Sequence, residues 1–269
     1  MNPLTDEPKV AIAGDWHGNT NWAIAALKAL RAEGIKTVYH VGDFGFWPAL
    51  DGVKYVRAIT RQLAIYDMTL YVTPGNHDDY VQLGAKEISA DGLQWFSDRI
   101  AAMPRGFRWE VNGRSFVSLG GAPSINFEDL KQGISWWPEE ALTLGDVYRL
   151  AEKGHADIMI THDAPDGVLA LETLMNSNAE ERDKVGAGIS ARGIAYGDEG
   201  RRLMTQAVQI VKPLMVFHGH YHLDYVEDVP FAEGDFITRF VGMNKDTDPN
   251  NICILDTNTL EWEWVPVKW

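Results

Sequence analysis

The 269 residues carry 24 Lys and Arg against 38 Asp and Glu, a formal charge of −14, with 45% apolar and 23% charged residues. That usage is ordinary for a globular chain long enough to bury a sizeable core, and it excludes an intrinsically disordered protein. The acidic balance argues against non-specific binding to duplex nucleic acid, and the lone Cys253 excludes an internal disulfide framework and suits a reducing cytoplasm.

The opening MNPLTDEPKV has neither a basic nor an apolar leader region, so no secretory signal is expected. No apolar run approaches the roughly 20 residues that span a bilayer, so a soluble, cytoplasmic chain without a membrane partner is expected. Lys9–Ala13, Thr37–Val41 and Thr69–Thr73 are apolar, largely β-branched or aromatic runs that each break at Gly or Pro, as strands do. Between the first two, Thr20–Glu33 places Ala23, Ala26, Leu27 and Leu30 at helical spacing, with Asn19 or Thr20 to cap it and Gly34 to close it. Strand, helix, strand at this spacing implies βαβ units and a parallel sheet.

Further along, Phe107–Val111 and Arg114–Leu119 flank Asn112-Gly113, a hairpin signal for a type I′ turn. Pro138–Glu152 reads as a helix with Pro in its first turn. Ala156–Ile160, Leu214–Phe217, Phe236–Val241, Ile252–Leu255 and Glu261–Val265 read as strands. One domain over residues 1–269 is expected, since no linker or repeat interrupts the pattern. Residues 164–200 are polar and rich in Gly, Ala and Asn, and a stretch of that length between core strands suggests a lid or insertion.

The strand ends deposit metal-ligand residue types: Asp15 and His17, Asp43, Asn76 and His77, His162, then His218 and His220. One such residue is ordinarily a turn former. Five of the eight His at strand ends, accompanied by Asp and Asn, point instead to a site on the shared carboxyl edge of a parallel sheet. Carboxylate, imidazole and amide oxygen without thiolate suit Mn, Fe, Zn or Co. Two carboxylates facing two divalent ions would leave a net positive site that attracts a phosphate anion into an acidic protein.

The series Gly14-Asp15-x-His17, Gly42-Asp43, Gly75-Asn76-His77-Asp78, His162 and His218-Gly219-His220 resembles the calcineurin-like metallophosphoesterase superfamily, in the family order from residue 14 to residue 220. Gly120-Gly121-Ala122 and Trp136-Trp137-Pro138-Glu139-Glu140 resemble its small bacterial and phage members more loosely. The resemblance implies an α/β fold of the αββα sandwich type, two mixed sheets flanked by helices, with two divalent transition metal ions, Mn²⁺ foremost, about 3.5–4 Å apart at the strand carboxyl ends. It assigns one ion to Asp15, His17, Asp43 and His220 and the other to Asp43, Asn76, His162 and His218, with Asp43 bridging. A metal-bridging hydroxide would attack phosphorus, and His77, beside the metals, would assist the leaving group.

The family's Ser/Thr protein phosphatases carry an Arg and a second Asp in the second motif; here that segment reads Gly42-Asp43-Phe44-Gly45-Phe46-Trp47, which disfavours protein phosphatase activity. The partner that orients His77 is left open between Asp78 and the 164–200 stretch. The neighbours Trp16, Phe44, Phe46, Trp47 and Tyr221 are expected as walls that, with Asn76, contact substrate, unless they simply pack. Few cations and many aromatics suit a small phosphodiester, with 2′,3′-cyclic nucleotides as one candidate. A phosphomonoesterase or nuclease is the alternative, and a non-catalytic binding scaffold the rival of another class. His40, His155 and His222 are read as structural, and Arg201 and Arg202 as either solvated or phosphate-reaching.

Overall fold

A computed structural model describes the backbone of residues 3–5, 7–184, 188–231 and 235–269. Its strands are β1 (Pro3–Thr5), β2 (Lys9–Ala13), β3 (Thr37–His40), β4 (Thr69–Val72), β5 (Gln94–Trp95), β6 (Ile100–Ala102), β7 (Arg108–Val111) and β8 (Arg114–Leu119), followed by β9 (Ile158–Thr161), β10 (Met215–His218), β11 (Tyr225–Phe231), β12 (Phe236–Gly242), β13 (Ile252–Asp256) and β14 (Trp262–Trp264). The helices are α1 (Thr20–Ala32), α2 (Ala49–Tyr66), α3 (Tyr80–Ala85), α4 (Leu144–Ala151), α5 (Leu169–Lys184) and α6 (Ala191–Val211).

Two sheets form, in the orders β14-β13-β2-β3-β4-β6-β5 and β1-β7-β8-β9-β10-β12-β11. In the first, β2, β3, β4 and β6 are mutually parallel, while β13 and β5 run antiparallel to their neighbours. The parallel centre of the second is β8, β9, β10 and β12. Both sheets are therefore mixed. Strand parity divides the core into three. Val10, Ile12, Tyr39, Trp109, Phe116, Ile160 and Phe217 fill the space between the sheets. Ala11, Ala13, Val38, Leu70 and Val72 turn outward onto α1 and α2, and Val117, Met159 and Val216 turn outward onto α4 and α6. The result is the expected αββα sandwich, in which strands buried on both faces read as continuous apolar runs.

Local signals explain most of the elements. The Asn19 side chain accepts from the Trp22 amide and starts α1, whose buried face is Ala23, Ala26, Leu27 and Leu30. Asn112 and Gly113, both at positive φ, join β7 to β8. The single helix expected over Pro138–Glu152 divides instead into a 3-10 turn, Pro138–Glu140, and α4. The cause is a capping box between Thr143 and Asp146, which starts a fresh helix there. The stretch at 164–200, expected from composition as a lid or insertion, contains α5 and the first half of α6; residues 185–187 of it lie outside the described ones. Among the described residues no helix is long and apolar enough to cross a membrane.

Candidate metal centre

The carboxyl ends of β2, β3, β4, β9 and β10 converge, and the loops leaving them carry the side chains named above. Asp15, His17, Asp43 and His222 each offer one ligand atom, and these atoms all lie within 4.8 Å of one another. Asp43 also faces a second group. Its Oδ1 is 3.3 Å from His162 Nε2, and the Asn76 Oδ1 lies 2.9 Å from His162 Nε2 and 3.0 Å from His220 Nδ1. Asp43 thus stands between two sets of donors.

The geometry groups the histidines differently from the sequence assignment of His218 and His220. His218 Nδ1 donates to the Gly219 carbonyl at 3.0 Å and Nε2 meets the Tyr225 hydroxyl, so both ring nitrogens are engaged away from the cluster. Strand parity is the reason: Met215 and Phe217 face the space between the sheets, Val216 faces the helices, and His218 shares the parity of Val216. His220 and His222 follow in the loop. His220 joins Asn76 and His162, and His222 Nε2 lies 3.3 Å from Asp15 Oδ2. His222, read as structural from the sequence, stands in the first donor set.

The backbone is bent to bring these groups together. His17, Asp43, His220 and His222 all have left-handed φ, between 44° and 68°. Such a conformation costs a non-glycine residue on the order of 1 kcal/mol or more and persists where surrounding structure over-determines it. Gly75 is needed for a different reason: a Cβ there would lie 2.2 Å from Asp43 Oδ1.

Partners behind the donors set their orientation. His17 Nδ1 donates to Asp246 Oδ1 at 3.0 Å, and His162 Nδ1 donates to the Val41 carbonyl at 3.0 Å, which leaves each Nε2 toward Asp43. Asp246 escaped the sequence reading because it lies far along the chain and outside any motif. The Asp78 carboxylate is engaged by backbone amides: it accepts from those of Gly45, Phe46 and Gly75 and staples two strand-end loops together. His77 is exposed, its amide donates to Asp43 Oδ1 at 2.8 Å, and its ring centroid is 6.2 Å from that of His17.

The electrostatics favour cations. Burial pushes the His17 imidazolium down, but its bonds to Asp246 and Asp43 and the charges of Asp43 and Asp15 outweigh this and hold it up at about 10. Burial likewise opposes charge on His162, and Asp43 and Asp15 raise it to about 9. Asp43 itself resists burial and is held well below the carboxylate range, chiefly by the charges of His162 and His77. Asp15 Oδ1 is buried with no hydrogen-bond partner. An orphaned carboxylate oxygen, among oxygen and imidazole donors without thiolate, fits borderline divalent metal ions.

Two clefts open at this centre. One, of about 340 Å³, is lined by Asn76, His77, His220 and Tyr221 on one side and by Pro123, Ile125, Met175 and Ile194 on the other. The second, of about 380 Å³, lies between His17, His77, Trp47 and Ile134. His77 lines both. The aromatic walls expected from the sequence are mostly elsewhere: Trp16, Phe44 and Phe46 are fully buried in the core beneath α1 and α2. Asp15 and His17 point to the site while Trp16 between them points away, its indole donating to Asn251 at 3.0 Å. Tyr221 and Trp47 do reach the clefts. Arg201 reaches the first cleft but is paired with Asp166 and Glu172, and Arg202 pairs with Glu199 in solvent. A larger groove of about 800 Å³ runs past Leu214 and Trp262, at the opposite end of β10, without any His.

A two-sheet sandwich that gathers Asp, His and Asn at its strand ends has the layout of a metallophosphoesterase. The chain belongs to the calcineurin-like phosphoesterase family, whose sequence model matches residues 8–224. It is accordingly a hydrolase acting on phosphoesters, of a family that depends on two metal ions. Among curated proteins, none matches the sequence. The fold is similar to that of TT1561 from Thermus thermophilus, 11% identical over 97% of this chain and 99% of that one, with a TM-score of 0.50. It is also similar to a dimetal phosphatase from Danio rerio, LOC 393393, 11% identical over 91% of each chain, with a TM-score of 0.52.

Proposed function

We propose that the protein hydrolyses a phosphodiester bond in a small substrate at a centre of two divalent metal ions. One ion would be held by Asp15, His17, Asp43 and His222, the other by Asp43, Asn76, His162 and His220. When bound, the ions supply the positive charge that lowers the pKa of water toward neutrality and neutralises phosphoryl oxygens. Asp43 orders both donor sets by facing each of them. His77, exposed at the meeting of the two clefts, hydrogen-bonds the leaving oxygen and delivers a proton to it.

The observation that carries the diester reading is the pair of clefts that share His77. A diester has two organic substituents on phosphorus, and each cleft receives one. The scarcity of free cations agrees. A monoester dianion calls for a bidentate clamp, and Arg201 is already held by Asp166, Glu172 and the Pro165 carbonyl. The α5–α6 stretch acts as a lid through Met175 and Ile194, which line the first cleft. A 2′,3′-cyclic nucleotide, joined twice to phosphorus through one sugar, occupies one cleft and belongs in the substrate screen beside linear diesters. Mn²⁺ is the ion of choice for loading, and the buried, unpaired Cys253 suits a cytoplasmic setting.

The test is the rate of Mn²⁺-loaded protein on a bis-aryl phosphodiester against the matching aryl monoester. The reading requires the diester to be preferred. A monoester preference means that Arg201 is released from its carboxylates to clamp a dianion, and the protein is then a phosphomonoesterase. Failure to turn over either ester with two ions bound favours a binding scaffold.

A further inference from the structure

Asn76 is backed by a buried polar chain that lies outside the metal-ligand motifs. Its Nδ2 donates to Ser124 Oγ at 3.0 Å. Ser124 in turn gives its amide hydrogen to Glu140 Oε1 at 2.6 Å and its hydroxyl hydrogen to Glu140 Oε2 at 3.1 Å. Ser124 is 3% exposed and Glu140 not at all. The Glu140 backbone is itself fixed, since the Arg105 guanidinium donates to the carbonyls of Glu140 at 2.7 Å and Gly120 at 2.8 Å. A carboxyl group buried beside a hydroxyl contributes nothing to an apolar core, and its desolvation is costly unless it is fully bonded.

We infer that Glu140 and Ser124 are positioning residues that aim the Asn76 amide oxygen at the second ion. The two ends of an asparagine amide have nearly the same shape, and only hydrogen bonding decides which end faces the donors. Serine alone does not decide it, because a hydroxyl accepts from Nδ2 as readily as it donates to Oδ1. With the second ion bound, its positive charge favours the ionised Glu140, and that carboxylate removes the choice. It takes the single hydroxyl hydrogen of Ser124, so only lone pairs remain toward Asn76. Nδ2 must then face Ser124, and Oδ1 must face His162 and His220. The inference rests on the reading that Asn76 holds the second ion.

The isosteric Glu140→Gln separates positioning from packing. Gln fills the same space, but its amide donates to Ser124 Oγ and frees the hydroxyl hydrogen to donate to Asn76. Metal-free full-length protein is titrated with Mn²⁺, with bound metal counted at each step, for the wild type, Glu140→Gln, Ser124→Ala, Ser124→Thr and Asn76→Ala. Asn76→Ala identifies the step that belongs to the second ion. Glu140→Gln and Ser124→Ala are expected to weaken that same step by about 10–100-fold, the usual effect of removing a partner behind a ligand, and to leave the other step unchanged. Ser124→Thr, which keeps the hydroxyl, restores it. An unaltered second step in both Glu140→Gln and Ser124→Ala, with Asn76→Ala still weakening it, overturns the inference alone. Equal weakening of both steps points to a general structural effect and also overturns it. If Asn76→Ala leaves both steps intact, Asn76 is not a ligand, and the reading beneath the inference fails with it.

Discussion

His17 and Asp246, 229 residues apart in sequence, are joined by a 3.0 Å hydrogen bond from Nδ1 to Oδ1. The bond fixes the imidazole so that Nε2, 3.6 Å from Asp43 Oδ2, is the nitrogen turned to the centre. Asp246 Oδ2 also accepts from Asn19, the residue that caps α1, so the helix start, the ligand loop and the 246 loop form one unit. Asp246→Ala is expected to weaken the first ion by about 10–100-fold while the step governed by Asn76 is retained. A metal titration of the variant reads this directly.

Asp43 is predicted to be among the least replaceable side chains, because it faces both donor sets. Asp43→Ala should lose both ions from the protein and with them nearly all turnover. Two bound ions with near-normal rates in this variant would refute the bridging role.

His77 is predicted to act on substrate without holding metal. His77→Ala should lower turnover by about 10²–10⁴-fold, the usual range for general acid–base assistance, with metal content unchanged. Metal analysis beside single-turnover rates checks it, and loss of an ion would show that His77 is a ligand.

The strand ends were the most legible part of the sequence. Apolar runs broken by Gly-Asp, Gly-Asn-His and Thr-His announced both the parallel sheets and the edge that carries the donors. Two things were hidden. Helix α6 carries Gly193, Gly197 and Gly200, which locally argue against a helix. A Cβ at Gly193 would lie 1.9 Å from the Ile125 carbonyl oxygen and one at Gly200 2.4 Å from Pro123, so the helix needs glycine to lie against the loop that lines the first cleft. The second was the register of three histidines spaced by two. His218, His220 and His222 are alike as a pattern, and only the parity of β10, readable from Val216 and Phe217, separates the buried one from the two in the loop.

Glu140 gives a prediction for pH. Burial pushes its carboxyl up from an ordinary 4.5 to about 8, with the Asp43 charge adding to the effect and the Ser124 bonds opposing it. Between those values the native state holds a proton that the unfolded chain releases, so stability of the metal-free protein falls as pH rises through that window. Bound divalent ions offset the Asp43 charge and favour the ionised carboxyl, so the effect belongs to the metal-free state. Glu140→Gln abolishes this dependence. At pH 8 the metal-free variant is expected to be more stable than the wild type, by on the order of a few kcal/mol and several degrees in Tm. Thermal unfolding of both proteins at pH 5 and pH 8 measures it; parallel behaviour at the two pH values would show that Glu140 carries no raised pKa.

The composition of the metal centre is tested most directly by counting Mn²⁺ bound to the wild type and to His218→Phe, His220→Ala and His222→Ala. Two ions are expected in the wild type and in His218→Phe, whose ring occupies the place beside Tyr225, and a single tight ion in each of the other two. Loss of an ion from His218→Phe, with two retained in His222→Ala, would contradict the account and restore the ligand set that the sequence first suggested.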